Sequence, residues 1–256
     1  MGGRPVERPQ EGTNLNGLRR KLMSLPSVPV LTVTDVTVRA GPLTILDHVS
    51  FRVPRGITFA IVGPNGGGKS TLLKVLLDRI AYTGRVEWDG PVRVGYVPQK
   101  LVDTDIPLSV EELLSLKCRG DYAACLSMVG LDQRILKKTI GTLSGGEIQR
   151  VLIGWATVDR PDVLLFDEPT SNVDIGSEDA ILQAVKSVQV ETGATVLLVT
   201  HNLHELHHYA DRVLVLQRRV RFEGTVAELL SNPDRVSETF GIPPGEIPPF
   251  GIGSRR

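Results

Sequence analysis

The chain has 256 residues, 41% of them hydrophobic, which is enough to bury the core of one large domain or two small ones. Its 29 Lys and Arg balance its 29 Asp and Glu, so the total charge does not favour nucleic acid, and we expect no nucleic-acid partner. Two cysteines exclude a disulfide framework, and no apolar run reaches the ~18 residues of a membrane span. With no signal-peptide pattern at the start, we expect a globular chain in a reducing compartment that does not cross a membrane.

The two ends of the chain are irregular. Residues 1–29 are rich in Arg, Gly and Pro, and we expect a disordered extension there. Residues 242–256 are rich in Pro, which cannot donate a ladder hydrogen bond, and we expect an irregular tail. The sequence therefore predicts one folded domain over residues 30–241.

Strand patterns occur in two kinds within that domain. Leu31–Val38 and Val49–Val53 alternate as half-buried strands do, and residues 31–60 and 85–97 together predict an antiparallel, strand-rich piece. TFAIVG, VLLFD and ATVLLVT are continuous apolar runs with helix patterns between them. Such runs are typical of a parallel sheet covered by helices on both faces, so the fold class is α/β.

GPNGGGKST has the spacing of a P-loop, and it follows an apolar strand and precedes a helical run, as that motif requires. Backbone N–H groups of such a loop close around phosphate oxygens, and the helix that follows points its positive end at them. Lys69 can reach the β- and γ-phosphates of ATP or GTP, and the Ser70 hydroxyl can ligate Mg²⁺. The predicted nucleotide-binding residues are Gly63, Pro64, Asn65, Gly66, Gly67, Gly68, Lys69, Ser70 and Thr71.

Residues from about 100 to 145 predict a helical insertion into the sheet domain. Ser109 followed by Glu112 before an apolar run indicates a capping box. LSGGE comes next and begins another helix, where Ser144, Gly145 and Gly146 form a second phosphate-binding N-terminus. One nucleotide rarely needs two such cradles, so we expect this one to contact the nucleotide of a second copy of the chain.

VLLFDEPTS is an apolar strand that ends in two adjacent acids. In sheets of this kind, ligands bind beyond the carboxyl ends of the strands. Asp167 is therefore placed to hold Mg²⁺, and Glu168 to act as the general base that polarises the attacking water.

The order of GPNGGGKST, YVPQ, LSGGE, VLLFDEP, SNVD and VTHN resembles the ATP-binding cassette (ABC) family, over about Leu31 to Phe240. The resemblance implies a P-loop NTPase core with a parallel sheet, an antiparallel β subdomain and an inserted α-helical subdomain. It also implies a head-to-tail homodimer with two ATP molecules and Mg²⁺ at the interface. Gln99 matches the residue that contacts Mg²⁺ and the attacking water, Asp174 lies in the loop that crosses the dimer interface, and His201 matches the histidine that contacts the γ-phosphate.

The sequence departs from the family at Ala40, where an aromatic residue usually stacks on adenine. Arg39 is the nearest planar side chain. Because stacking of a base on an aromatic ring contributes roughly 1–3 kcal/mol, this departure concerns affinity for the base and leaves the phosphate chemistry intact.

HELHH, from His204 to His208, has the spacing of a zinc-protease motif. Three interpretations remain open: an exposed polar helical turn, which we favour, a weak regulatory metal site, and a protease centre, which would need a third ligand from elsewhere.

PQKLVDTDIPLSVEELL resembles the zinc and manganese importer branch of the family. We therefore expect an ATPase subunit at the cytoplasmic face of the membrane, bound to a separate integral membrane permease and served indirectly by an extracytoplasmic metal-binding protein. The alternatives are an ABC ATPase for another substrate, a soluble ABC ATPase of iron–sulfur assembly or DNA repair, and a binding module with an inactive site. The last is disfavoured because Lys69, Asp167, Glu168 and His201 are all present.

Overall fold

Two β-sheets carry the fold, one antiparallel and one largely parallel, in the computed structural model of the chain. It describes residues 28–99, 107–117, 120, 122–171 and 173–243. The strands are β1 (Pro29–Ala40), β2 (Leu43–Pro54), β3 (Thr58–Val62), β4 (Thr83–Trp88), β5 (Val94–Val97), β6 (Val163–Asp167), β7 (Thr195–Val199), β8 (Arg212–Gln217) and β9 (Arg219–Thr225). The helices are α1 (Lys69–Leu76), α2 (Val110–Ser115), α3 (Ala123–Met128), α4 (Gly145–Thr157), α5 (Ile175–Thr192), α6 (Leu203–Tyr209), α7 (Val226–Leu230) and α8 (Pro233–Phe240). This architecture confirms the predicted α/β class.

The larger sheet has the strand order β5-β6-β7-β3-β8-β9, and only β9 runs antiparallel to its neighbour. Every residue of β3, β6 and β7 is buried, because helices cover both faces of these central strands. Since β3, β6 and β7 are parallel, the segments that follow Val62, Asp167 and Val199 all leave from one edge of the sheet. The candidate site lies along that edge.

The smaller sheet has the order β2-β1-β4, and both of its strand pairs are antiparallel. The sequence extended this piece too far, over residues 31–60 and 85–97. In the structure β3 and β5 belong to the parallel sheet, where Val94 pairs with Val163 and Val97 with Phe166. Strand propensity is the same in both sheets, so only the long-range pairing separates them.

The helical insertion is seen from residue 107 onward, and residues 100–106 lie outside the described part. α2, α3 and two 3₁₀ turns, Gln133–Lys137 and Ile140–Thr142, pack on α4. The predicted capping box is confirmed, since Ser109 Oγ accepts from Glu112 N and the Glu112 carboxylate accepts from Ser109 N. Val110 and Leu114 are fully buried in the cluster between these elements.

Ordered structure reaches both predicted ends of the domain: a strand begins at the N-terminal end, and a packed side chain lies at the C-terminal end. β1 begins at Pro29, and Ile242 packs against a cluster that includes Val236. Residues 1–27 and 244–256 lie outside the described residues, so the predicted disorder and the domain limits stay predictions. No helix in the described part of the chain is both long and apolar enough to cross a membrane.

Candidate nucleotide site

The P-loop connects buried β3 to α1. At two of its glycines a side chain would clash with neighbouring atoms, and the backbone φ is positive. Gly63 has a φ of 146°, and a Cβ there would lie 2.0 Å from the carbonyl oxygen of Leu216. Gly68 has a φ of 99°, and a Cβ there would lie 2.6 Å from the Leu46 side chain. Both positions therefore exclude side chains and keep the backbone accessible to a ligand.

A cavity of about 310 Å³ lies over this loop. It is lined by Ile45, Asn65, Gly66, Gly67, Gly68, Lys69, Ser70, Thr71, Gln99 and Glu168. The lining thus brings seven of the nine predicted P-loop residues to one cavity, together with Gln99 and Glu168. Gly63 and Pro64 are not among the lining residues, but their carbonyls accept hydrogen bonds from Lys69 Nζ at 2.9 and 3.3 Å.

Ser70 and Asp167 meet although 97 residues separate them in sequence. Ser70 Oγ donates to Asp167 Oδ1 at 3.3 Å. Asp167 is 7% exposed at the end of β6, and burial raises the pKa of its carboxyl group. The hydrogen bond from Ser70 opposes that rise, and the neighbouring Glu168 adds to it. A hydroxyl and a carboxylate that converge in this way form an oxygen donor pair suited to Mg²⁺.

Glu168 is the centre of the predicted catalytic group. Its φ of 47° turns the chain sharply after Asp167, and its N–H donates to the Val199 carbonyl at 3.0 Å. Glu168 Oε1 lies 3.7 Å from Lys69 Nζ, and Oε2 lies 3.5 Å from His201 Nδ1. The side-chain amide of Gln99 donates to Oε2 at 3.0 Å.

The glutamate side chain is 15% exposed, and the imidazole of His201 is 59% exposed. One enclosed carboxylate thus lies close to the P-loop lysine and to Gln99 and His201, which follow the ends of β5 and β7 by two residues.

The residues predicted to contact a second copy's nucleotide form a separate cluster. Ser144 caps α4 by accepting from Glu147 N, and Asp174 precedes α5 and accepts from the Ser177 hydroxyl at 3.0 Å. A Cβ on Gly146 would lie 2.7 Å from Ser177, so the two segments pack together. None of Ser144, Gly145, Gly146 and Asp174 is among the residues that line the P-loop cavity.

Two features near the site were missed by sequence reasoning. Ile45 on β2 lines the cavity, and nothing in the β2 pattern separates it from other half-buried apolar residues. Burial, and then the nearby Asp167 carboxylate, raise the pKa of the Tyr96 phenol. Arg79 lies over the Tyr96 ring at 5.4 Å. YVPQ contains Tyr96, but only the strand order places it beside Asp167.

The roles of Ala40 and of the HELHH run stay predictions. Ala40 is exposed at the end of β1 and pairs with Leu43, which is 52% exposed. HELHH lies in α6, where His208 is exposed and its ring meets that of His207 edge-on at 4.7 Å. The side chains of His204 and Glu205 lie outside the described part, so the metal-binding alternatives stay predictions.

Comparison with known proteins agrees with these motifs. The family model described as ABC transporter matches residues 46–171. The zinc import ATP-binding protein ZnuC of Cereibacter sphaeroides is 42% identical over 218 residues, which cover 83% of this chain and 88% of that protein. The protein of the same name from Jannaschia sp. is 37% identical over 209 residues, covering 80% of this chain and 86% of that protein.

The chain belongs to the ABC transporter family. It is accordingly an ATPase subunit whose nucleotide-binding domain binds ATP. The family predicted from the motifs is thereby confirmed.

Solved structures of ABC proteins share the fold. cbiO1 from Clostridium perfringens, part of the ABC transporter complex cbiONQ, matches with a TM-score of 0.71 at 25% identity, covering 82% of this chain and 94% of that chain. An ATP-binding cassette in a dimeric post-hydrolysis state, bound to ADP and phosphate, matches with a TM-score of 0.66 at 27% identity. That match covers 77% of this chain and 98% of the cassette.

Proposed function

We propose that this ABC ATPase powers the uptake of a divalent metal ion through a separate membrane permease. Zinc is the favoured ion, and manganese is the second candidate. The convergence of Lys69, Gln99 and His201 on Glu168 carries the hydrolytic part of the proposal. The choice of zinc is supported by the relatives named zinc import ATP-binding protein, which match most of the chain.

ATP binds, in this proposal, with its phosphates in the P-loop cavity. The loop amides and the N-terminus of α1 surround the phosphate oxygens, and Lys69 supplies a buried positive charge. Lys69 is well placed for this because its ammonium group is held by the Gly63 and Pro64 carbonyls at the base of the loop.

The residues present fit a Mg²⁺ ion. Ser70 and Asp167 would hold it, with Gln99 as a third oxygen donor, and the ion would neutralise charge on the β- and γ-phosphates. The hydrogen bond from the Ser70 hydroxyl to the Asp167 carboxylate brings the two oxygens to 3.3 Å and supports this donor set. Asp167 is suited to bind a cation because its burial penalises an uncompensated negative charge.

Glu168 acts as general base in the hydrolysis of ATP to ADP and phosphate. Water attacks the γ-phosphorus, the bond to the leaving β-phosphate oxygen breaks, and the water proton passes to the Glu168 carboxylate. Gln99 orients that carboxylate by a hydrogen bond, and His201 contributes a polar group toward the γ-phosphate. Phosphoryl transfer of this kind depends on positioning and charge stabilisation, which is what the cluster offers.

A second copy of the chain completes the site. Ser144, Gly145 and Gly146 at the start of α4, with Asp174 beside them, would contact the nucleotide held by the P-loop of the partner copy. Ser144, Gly145 and Gly146 form a helix N-terminus, which favours an anion. None of the four residues lines the P-loop cavity of the same chain, so they are available to the nucleotide of another copy. The dimeric solved cassette is consistent with such a homodimer.

The permease docks on the helical insertion at the cytoplasmic face of the membrane. Gln99 links the hydrolysis site directly to the segment that leads into this insertion. An extracytoplasmic metal-binding protein delivers the ion to the permease. A soluble ATPase of iron–sulfur assembly or DNA repair is the alternative, and it is disfavoured by the zinc-import relatives.

The test is reconstitution of this chain with its proposed membrane permease. Proteoliposomes holding both proteins should accumulate radioactive zinc only with ATP and Mg²⁺, and Lys69→Ala should abolish accumulation. A parallel series with manganese decides between the two ions. ATP hydrolysis that is insensitive to the permease, with no metal accumulation, would exclude the importer assignment.

A further inference from the structure

The turn between β8 and β9 touches the P-loop from behind. Arg218 has a φ of 59°, the left-handed region that a residue with a side chain seldom occupies. Its N–H donates to the Gly67 carbonyl at 2.8 Å, and its own carbonyl accepts from Asp47 N at 2.8 Å. One residue thereby bridges the phosphate-binding loop and β2 of the antiparallel sheet.

A side-chain ion pair also connects this turn region to β2. The Arg219 guanidinium donates from Nε to Asp47 Oδ2 at 2.6 Å, and its Nη2 lies 2.5 Å from the same oxygen in an ion pair. Asp47 is 26% exposed and Arg219 is 62% exposed, so the contact lies at the surface with the carboxylate partly enclosed. Backbone and side chain thus fasten the turn to β2 next to the P-loop.

The P-loop is held by close contact between β2 and the end of β8, the strand that leads into the turn. Leu216 O lies so near to Gly63 and Gly67 that added Cβ atoms would come within 2.0 and 2.8 Å of it. On the other side, an added Cβ on Gly68 would come within 2.6 Å of Leu46. A displacement of the turn or of β2 would therefore move the loop.

The hydrogen bond to Gly67 also orients a group that faces the cavity. The Gly67 carbonyl and the Gly68 N–H belong to one peptide unit, which is planar and trans, so the two point in opposite directions. Because the carbonyl points to Arg218, the N–H points away from the turn, and Gly68 lines the cavity. Glycines have no side chains to hold such a plane, and the restraint must come from a neighbour.

We infer that the β8–β9 turn, fastened by the Arg219–Asp47 ion pair, is a positioning element that fixes the P-loop amides for phosphate binding. Arg218, Arg219 and Asp47 need not touch the nucleotide; they act through Gly67. The inference rests on the proposed function only in that the P-loop binds ATP. It explains why a strained conformation is retained at Arg218: the turn delivers its N–H to the loop.

The experiment measures the dissociation constant for ATP with Mg²⁺ by calorimetry on the purified full chain, and the melting temperature without nucleotide. Arg219→Ala and Asp47→Ala should each weaken ATP binding by roughly two- to five-fold, the effect of an exposed ion pair transmitted to the loop. The exchanged pair, Asp47→Arg with Arg219→Asp, should recover a large part of the wild-type affinity.

Arg55→Ala is the matched control, because Arg55 and Asp89 form a similar exposed pair at 2.8 Å just beyond the ends of β2 and β4. It should change the melting temperature as much as Arg219→Ala and leave the ATP dissociation constant at the wild-type value. Arg218→Gly keeps the N–H and suits the positive φ, so it should bind ATP as wild type does. Arg218→Pro lacks the N–H and should weaken binding more than Arg219→Ala.

The outcomes are distinguishable. If wild-type protein does not bind ATP, the proposed function fails. If wild type binds and Arg219→Ala and Asp47→Ala match it, the positioning role is wrong, whatever their melting temperatures. Should Arg218→Pro not fold, the Arg219 and Asp47 variants with their exchanged pair decide alone.

Discussion

Gln99 donates a hydrogen bond to Glu168 at 3.0 Å, although 69 residues separate them in the sequence. Glu168 follows the strand that carries the predicted Mg²⁺ ligand, while Gln99 follows β5 and leads toward the helical insertion. The contact therefore joins the hydrolysis site to the segment expected to meet the permease. A change in the position of that segment would therefore change the orientation of the Glu168 carboxylate through Gln99.

Replacement of this carboxylate should separate binding from hydrolysis. Glu168→Gln keeps the shape of the side chain but removes the group that takes the proton, so turnover should fall by roughly 10²–10⁴-fold. ATP should still bind, and an ATP-dependent dimer should accumulate. Phosphate release gives the rate, and light scattering with and without ATP gives the mass.

Glu191→Gln serves as the control, because Glu191 is an exposed acid at the end of α5. It should hydrolyse ATP at the wild-type rate. Wild-type turnover in Glu168→Gln would show that another group is the base.

The position of Ala40 gives a test of base recognition. Ala40→Tyr should provide a stacking surface at the end of β1 and strengthen ATP binding by about 1–3 kcal/mol, or about 5- to 150-fold in the dissociation constant. Ala40→Leu adds apolar area without an aromatic face and separates stacking from simple burial. Fluorescence titration with ATP is the measurement. Equal dissociation constants for the tyrosine variant and wild type would mean that Ala40 does not face the adenine.

The capping box at the start of α4 predicts a pH-dependent stability. The hydrogen bond from Lys138, followed by that from the Ser144 N–H, lowers the pKa of the Glu147 carboxyl. A carboxyl whose folded-state pKa is lowered contributes stability above its unfolded pKa and loses it as the pH falls through the folded pKa. Glu147→Gln keeps a side-chain acceptor for the capping box but removes the charge, so it should lower the unfolding free energy at pH 7 by roughly 0.2–1 kcal/mol, as for a partly exposed ion pair.

That cost should shrink as the pH is lowered through the pKa of Glu147 in the folded wild-type chain. Urea unfolding of both proteins from pH 7 to acid pH measures it. Lys138→Met keeps the cap but removes the larger cause of the shift, and should show a weaker pH dependence. A stability difference that is constant with pH would contradict the assignment of this carboxylate.

Motif and flanking pattern were enough to predict the parts of the site that are local in sequence. Residue type and spacing are sufficient to predict the P-loop from Gly63 to Thr71 and the two acids, Asp167 and Glu168, at the end of β6. The sheet then brings them together, because β3, β6 and β7 are parallel and their carboxyl ends share one edge. The convergence on Glu168 follows from a topology that the alternation of strands and helices already indicates.

Contacts between distant surface groups could not be predicted in this way. Arg218 and Arg219 read as ordinary turn residues, and nothing in their neighbourhood points to Asp47 or Gly67 more than 100 residues away. Likewise, β5 has the composition of either sheet, and its place is decided only by pairing with β6. Such features depend on which elements meet, which a local pattern does not encode.

The last prediction concerns docking of the permease on the helical insertion, and burial decides which residues can test it. Val110, the first residue of α2, is fully buried, so a charge there would disrupt the insertion itself. Glu111 and Leu116 are exposed, and Leu116 is 70% exposed, so both can be changed without loss of core packing. Glu111→Lys with Leu116→Asp should uncouple the chain from its permease and leave ATP binding at the wild-type value.

The matched control also changes one exposed aliphatic residue and one exposed glutamate, here on α5, where Val190 is 47% exposed beside exposed Glu191. Val190→Asp with Glu191→Lys should co-purify with the permease from detergent-solubilised membranes and support full zinc uptake in the same cells. The α2 variant should do neither, because an apolar contact has been replaced by a desolvated charge at the interface. Full uptake by the α2 variant would remove the insertion from the coupling path and would favour the soluble ATPase alternative.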